Sequence, residues 1–361
     1  MRPVYYLGAF IPVALALDLA HADPVLIFFA AALGVIPTAA LMGTATEELA
    51  ARAGPGIGGL LNVTFGNAPE LIIAFFALLA GLQEVVKASL VGSVIGNLLL
   101  VLGAAMVVGG WNREKQTFSR TAANAQSAML LLAAAALVLP TLFQLIHGGG
   151  LPGVNQEEVR FSKDLEHLSL LVAIVLIISY CLGLLFSLRT HREIFYPYIV
   201  DAKGERAGAW SLRKSLILLA IAGALVGVMS EVLVGSISDA SKSIGLSEFF
   251  VGVFVVAIVG NAAEHWVAVL VAAKDKMDLA VNIAIGSSAQ IALFVAPLLV
   301  LLSFLFGDHP LSLVFNGYEL GGLLFAIWLS SFLTQEGESN WFGGVQLLSV
   351  YLVLGLVFFF A

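Results

Sequence analysis

Cysteine is nearly missing from this 361-residue chain, with Cys181 the only one. No internal disulfide and no cysteine-ligated zinc or iron–sulfur cluster can therefore form. No glycine is followed by a lysine, so the phosphate-cradling Walker A loop is absent, which argues against an ATP-driven pump. Charge is scarce as well: 11% of residues are Asp, Glu, Lys or Arg, against about 25% in soluble domains. The formal net charge of −7 argues against nucleic acid as a partner. Apolar residues are abundant, at 60% of the chain. A soluble fold of this size cannot hide that much apolar surface, which makes this an integral membrane protein. Residues 24–46, 88–112, 121–156, 279–307 and 339–361 carry no Asp, Glu, Lys or Arg. Each run reaches the roughly 20 residues that a spanning helix needs. Barrel strands would be about 10 residues of alternating polarity.

The expected fold is all-α, with about 11 transmembrane helices near 3–20, 25–51, 57–82, 86–109, 121–146, 168–188, 214–238, 249–273, 279–306, 318–334 and 341–360. The first segment has Arg2 before it, then Asp18, His21 and Asp23 without a small-residue cleavage site, so it reads as a membrane helix and not a signal peptide. With the N-terminus cytoplasmic, 13 of the 17 Lys and Arg fall on the inner side, Lys87, Arg160, Lys163 and Lys242 being the outer ones. The C-terminus is then outside, in a multi-pass arrangement of the cell (plasma or inner) membrane.

The chain contains a weak internal duplication. Gly66-Asn67-Ala68-Pro69-Glu70 reappears 194 residues later as Gly260-Asn261-Ala262-Ala263-Glu264, and Gly92-Ser93 reappears at the same shift as Gly286-Ser287. The copies sit in segments three and eight. A displacement of five helices reverses direction across the bilayer, so the copies are inverted repeats, a common transporter architecture with its substrate site near the midplane. The expected organisation is a peripheral first helix at 1–23 and a first repeat of five helices at 24–190. A central cytoplasmic loop at 191–213 leads to a second repeat of five at 214–361.

Glu70 is the only charge in residues 53–83 and Glu264 the only charge in 249–273. A charge at the bilayer centre costs about 2.5–3.5 kcal/mol on insertion scales, and intramembrane carboxylates usually face an interior cavity on an ion path. The bland alternative is a protonated glutamic acid hydrogen-bonded between helices. Gly66 and Pro69 weaken the helix before Glu70, and Gly260 does so before Glu264. Freed carbonyls there need partners. Asn67 and Asn261 lie one turn before each glutamate on the same face. Ser93, Ser287, Asn97 and Gln290 on the following helices offer more oxygens, though helix–helix hydrogen bonding explains them equally well. Calcium takes six to eight oxygen ligands, carboxylates among them. Two empty carboxylates in an apolar site repel each other and are poorly solvated, so the charged empty state is disfavoured. One divalent cation or two protons relieve it, and the two compete for the same oxygens.

The stretch Ala45-Thr46-Glu47-Glu48-Leu49-Ala50 followed by Gly58-Gly59-Leu60-Leu61-Asn62-Val63-Thr64-Phe65-Gly66-Asn67-Ala68-Pro69-Glu70-Leu71 resembles the first repeat of the calcium/proton exchanger family, within the cation/calcium exchanger superfamily. Gly260-Asn261-Ala262-Ala263-Glu264-His265 and Gly286-Ser287-Ser288-Ala289-Gln290 resemble the second. The resemblance covers about residues 40–305. It implies a secondary antiporter that exports Ca2+ in exchange for H+ by alternating access, with Glu70 and Glu264 as calcium ligands and proton carriers. Glu47 and Glu231 would line the access paths, while Asn67, Asn261, Ser93, Ser287 and Gln290 would shape the central cavity. It implies no enzyme activity and no cofactor, Ca2+ being substrate, and it raises a homotrimer as a possible assembly. Some members carry an acidic helix in the central loop. Here 189–213 mixes Glu193, Asp201 and Glu205 with Arg189, Arg192, Lys203, Arg206 and Arg213, so that form of regulation is not expected.

Other readings stay open at this stage. Sodium coupling, or manganese as cargo, needs the same oxygen donors. An intramembrane glutamic protease would use Glu47-Glu48-Leu49-Ala50-Ala51-Arg52 and Phe143-Gln144-Leu145-Ile146-His147, but its third element, a His with a polar residue four positions on, is missing. A passive channel would conduct slowly past two buried carboxylates that bind calcium tightly, and inverted repeats favour alternating access. Glu48 and Arg52 also fit an i,i+4 pair at a helix end. Asp23, Glu157, Glu158 and Asp308 could attract cations or simply be solvated.

Overall fold

The computed structural model describes residues 2–154, 161–190, 210–307 and 309–361. Glu157, Glu158, Arg160, Asp308 and most of the central loop lie outside the described residues. Among the described residues the chain forms eleven apolar helices. These are α1 (Val4–Leu19), α2 (Pro24–Gly66), α3 (Ala68–Leu79), α4 (Gln83–Gly110), α5 (Arg120–Ile146), α6 (Lys163–Thr190), α7 (Leu212–Ile244), α8 (Glu248–Ala273), α9 (Met277–Ser303), α10 (Gly317–Thr334) and α11 (Trp341–Phe359). Nine of them contain a stretch long and apolar enough to cross a membrane, and α1 and α3 are shorter. This is a multi-pass membrane protein.

The helix starts follow from capping chemistry. The Asp23 carboxylate accepts from the Val25 N–H and Pro24 opens α2, where its missing N–H costs nothing. Ser119 caps α5 and Ser211 caps α7. Asn316 and Glu319 form a reciprocal capping box at the start of α10.

The sequence predicts a break near residue 54 and then one helix over 57–82. Helical structure instead runs without interruption from Pro24 to Gly66, and the break falls at Asn67. A Cβ at Gly58 would nevertheless collide with the Ala50 carbonyl eight residues earlier. A straight helix would separate those positions by about 12 Å, so the helical segment is bent between Ala50 and Gly58. The second break has its own cause. Pro69 has no N–H to give to the Phe65 carbonyl and its ring crowds that turn. Asn67 leaves the helical region at φ −96°, ψ 20°, and α3 restarts at Ala68.

The second copy behaves differently. Ala263 stands where Pro69 stands in the first, and the helix passes through Gly260 unbroken, contrary to the weakening expected from that glycine. Its irregularity is displaced to a π-helical turn at Val251–Val256. Two further π turns, Gly96–Val101 in α4 and Ile291–Val295 in α9, end at residues 101 and 295, which differ by the same 194 as the motif copies.

The chain packs as two compact units, each drawing on both halves of the sequence. The first comprises residues 1–76, 181–245 and 259–263, and the second residues 77–180, 246–258 and 264–361. In the first unit α2 packs along α7 around Met42, Ala68, Ala222 and Val226, flanked by Leu41, Phe65, Ile72 and Leu219.

In the second unit α4 packs on α8 and α11 through small residues. A Cβ at Gly92 would collide with the Val253 carbonyl and lie 2.6 Å from its Cα, and one at Gly103 would lie 3.0 Å from the Gly344 carbonyl oxygen. Gly92→Ala therefore forces two backbones apart. It is expected to lower stability by about 1–3 kcal/mol or more. Gly223→Ala, with nothing within 4 Å, is expected to leave stability unchanged. Thermal melting of the purified proteins in detergent compares the two. A two-residue ladder, Gln116 opposite Ser339 and Thr117 opposite Glu338, ties the α4–α5 and α10–α11 connections together. Lys115 adds a 2.8 Å ion pair to Glu338, whose carboxylate holds the Lys115 ammonium above the usual lysine range.

Lys87, counted from the sequence among the outer-side charges, is not a surface charge. It lies inside α4, 2% exposed, bonded to Glu84 Oε1 at 2.7 Å. Lys87 also donates to the Val314 carbonyl at 3.2 Å, which joins the start of α4 to the connection leading into α10. Asp278, 194 residues after Glu84, likewise joins the start of α9 to the start of α5, accepting from the Ser119 N–H.

Candidate functional site

In the first unit Glu70 occupies the first turn of α3, with Asn67 at the break just before it. The break gives this carboxylate a helix N-terminus, whose partial positive charge favours an anion. Glu70 is 7% exposed and Asn67 and Asn261 are buried. Gly66 ends α2. Gly260 packs directly on Glu70: a Cβ there would lie 3.4 Å from Glu70 Cγ and 3.6 Å from Oε1. The glutamate of one motif copy thus rests against the glycine of the other, and any larger residue at 260 would press on the carboxylate.

Glu47 on α2 and Glu231 on α7 also belong to this unit, and both are exposed. Their neighbours anchor the end of the central loop. Glu48 Oε2 accepts from the Trp210 N–H at 3.0 Å, Arg52 Nε donates to the Trp210 carbonyl, and Lys214 Nζ lies 4.5 Å above the Trp210 ring. Glu48 and Arg52 grip the two backbone polar groups of one residue, Trp210, a role that their i,i+4 spacing does not reveal.

In the second unit Glu264 is half-buried on α8, and Ser287 on α9 donates to its Oε2 at 2.8 Å. A hydrogen bond to a carboxylate contributes about 1.5–3 kcal/mol and orients the group. His265 turns away from Glu264, as adjacent helix residues must, and pairs through Nε2 with Asn97 Oδ1 at 3.1 Å. Asn97 is 1% exposed and is the second residue of the π turn of α4, and its Nδ2 has no hydrogen-bond partner among the described residues. Ser93 is buried one turn earlier on α4, and Gln290 is half-buried in the middle of α9, directly before its π turn. π turns free backbone groups from regular pairing and recur at functional positions.

Sequence reasoning missed Gln126 and Asn282, joined at 2.6 Å, with Gln126 Nε2 3.5 Å from where a Gly286 Cβ would stand. A glutamine within the uncharged run 121–156 was the available signal. The donor types assembled in the two units are carboxylate, amide and hydroxyl oxygens, which suit a hard cation. Among the described residues no group of three or more His, Cys, Asp and Glu comes together to hold a metal, so any cation here relies on neutral oxygens beside a carboxylate.

The family described as sodium/calcium exchanger protein matches residues 24–189 and 214–360. The "Ca(2+)/H(+) antiporter" of Aphanothece halophytica is 43% identical, over 97% of this chain and 94% of that protein. "Ca(2+)/H(+) antiporter ChaA" of Bacillus subtilis is 40% identical over 99% of both. Among solved structures, native YfkE is similar with TM-score 0.83 and 38% identity, covering 99% of this chain and all of that one. The H+/Ca2+ exchanger CAX, at 14% identity and TM-score 0.69, shares the fold. The chain belongs to the sodium/calcium exchanger protein family, in its calcium/proton exchanger branch.

Proposed function

We propose that this protein is a secondary antiporter that exports Ca2+ in exchange for H+, with Glu70 and Glu264 binding calcium or protons alternately. The observation that carries the reading is the end-to-end kinship with proteins named Ca2+/H+ antiporter, together with one carboxylate in each motif copy. Glu264 is oriented by Ser287, and Glu70 is seated against Gly260. Two carboxylates match the charge of one calcium ion or of two protons, so charge balance allows up to two protons per calcium. Occupancy by either ion removes the repulsion that an empty pair would suffer.

Asn67, Asn261, Ser93, Ser287, Asn97 and Gln290 supply neutral oxygens or orient the carboxylates in this reading, and Gly66 and Gly260 leave the space for them. Glu47 and Glu231, both exposed, would draw cations toward the access paths. The register shared by the π turns of α4 and α9 supports two inverted repeats of five helices behind a peripheral α1, which allow alternating access around a fixed site. The lysine and arginine bias supports a cytoplasmic N-terminus and an external C-terminus.

Calcium-45 uptake into proteoliposomes of the purified protein tests the reading, with a pH gradient, a sodium gradient or neither imposed. Uptake is expected with the pH gradient alone. Uptake that needs sodium and ignores pH would keep the site and replace the coupling ion. Manganese competing for the same uptake would widen the cargo.

A further inference from the structure

The second unit holds a set of buried charges that calcium–proton exchange does not use. Glu84 and Lys87 lie on the first turns of α4, 4% and 2% exposed, and Glu319 lies on the first turn of α10, 0% exposed. Lys87 Nζ donates to Glu84 Oε1 at 2.7 Å and to the Val314 carbonyl at 3.2 Å. Lys87 thus reaches the chain at Val314, two residues before the Asn316 that Glu319 caps. Glu319 Oε2 accepts from the Asn316 N–H at 2.8 Å, while Oε1 is buried with no hydrogen-bond partner among the described residues.

These groups surround an extended strap, residues 311–316, that is buried along its length. Alternate N–H groups of the strap are taken by hydroxyls from three helices: Leu311 by Ser303, Leu313 by Ser169 and Phe315 by Thr141. Its carbonyl side is held by Lys87 at Val314, and just upstream by Gln83 at His309. Non-helical backbone is tolerated at membrane depth only when protein supplies every partner in this way. The titratable groups nearest in sequence to these contacts, Glu248 on α8, the His309 and Tyr318 side chains, Lys163, Asp164, Glu166 and His167 on α6 and His147 on α5, are half-buried or exposed.

One ammonium cannot balance two carboxylates. The Glu84–Lys87 contact makes one neutral pair and leaves the Glu319 carboxyl over. Removing an ionised carboxylate from water without full compensation is far costlier than burying the neutral acid. The field of the α10 N-terminus, which favours an anion at Glu319, is the smaller effect. Two interacting carboxyls that share a site commonly keep one proton between them.

We propose that the Glu84–Lys87–Glu319 cluster is a proton-binding site separate from the transport glutamates, with one proton resident on Glu319 at neutral pH. The proton keeps the clasp between α4, the strap and α10 electrically neutral. It is not exchanged for calcium.

The test uses the full-length protein purified in detergent, with infrared spectra of the carboxylic-acid C=O stretch and melting curves from neutral to alkaline pH. Glu319→Gln replaces a neutral acid by a neutral amide of the same shape. It is expected to lose one protonated-carboxyl band at neutral pH and to keep the wild-type melting temperature there. It is also expected to lose the decline in melting temperature that wild type shows as pH rises and Glu319 ionises. The same band must survive in Glu70→Gln and Glu264→Gln, which separates this site from the transport reading and leaves the proposal standing if that reading fails. An unchanged carboxyl spectrum in Glu319→Gln, or a Glu319→Gln protein that fails to fold, would show that the ionised carboxylate is the native form and overturn the proposal.

Discussion

Glu264→Gln and Glu70→Gln are each expected to abolish pH-driven calcium uptake, at least about 100-fold, while the protein stays folded. Glutamine has the shape of glutamate, and at 264 its carbonyl oxygen can still accept from Ser287. The charge is what disappears. An amide neither balances half of a calcium ion nor takes up a transported proton, so the exchange loses both of its states at that position. A hundredfold loss corresponds to about 2.7 kcal/mol in the barrier, and a residue that carries the ions exceeds it. Folding responds the other way. An intramembrane carboxylate costs about 2.5–3.5 kcal/mol to insert, so the melting temperature of either variant should equal or exceed that of wild type. Calcium-45 uptake under a pH gradient, beside detergent melting curves, reads both effects. Sustained uptake by either folded variant would remove that glutamate from the ion site.

Lys87→Met should be the most destabilising single change at the start of α4. Methionine fills most of the lysine stem but leaves Glu84, 4% exposed, without its ammonium at 2.7 Å, and the Val314 carbonyl without its donor. Removing one partner of a buried ion pair costs about 3–5 kcal/mol, chiefly because the other charge stays behind. Lys87→Met with Glu84→Gln removes both charges and should recover most of the loss, leaving mainly the carbonyl contact. Melting curves of the two variants decide the point. A single variant as stable as wild type at neutral pH would mean that the pair is incidental.

The contrast between these two sets of residues shows what a linear reading can reach. Glu70 and Glu264 stand alone in long uncharged runs, so their placement in the membrane is legible from hydropathy, and the 194-residue repeat ties them together. Glu84 and Lys87 fall where one helix begins, beside a loop, and read as ordinary surface charge. Glu319 joins them only because the chain returns 232 residues after Lys87, and no local pattern announces that. The same limit applies to Glu48 and Arg52, whose spacing implies a pair with each other and not a shared grip on Trp210.

Membrane insertion and the all-helical class were determined by the sequence alone, because burial cost acts on each segment separately. Tertiary structure decided the rest. The Pro69/Ala263 difference places a break in one motif copy and sends the irregularity of the other to residues 251–256. Gly260 comes to lie against Glu70, Ser287 against Glu264, and Lys87 inside the protein. Those outcomes depend on which helices meet, and contacts between distant segments have no signature in local composition or period.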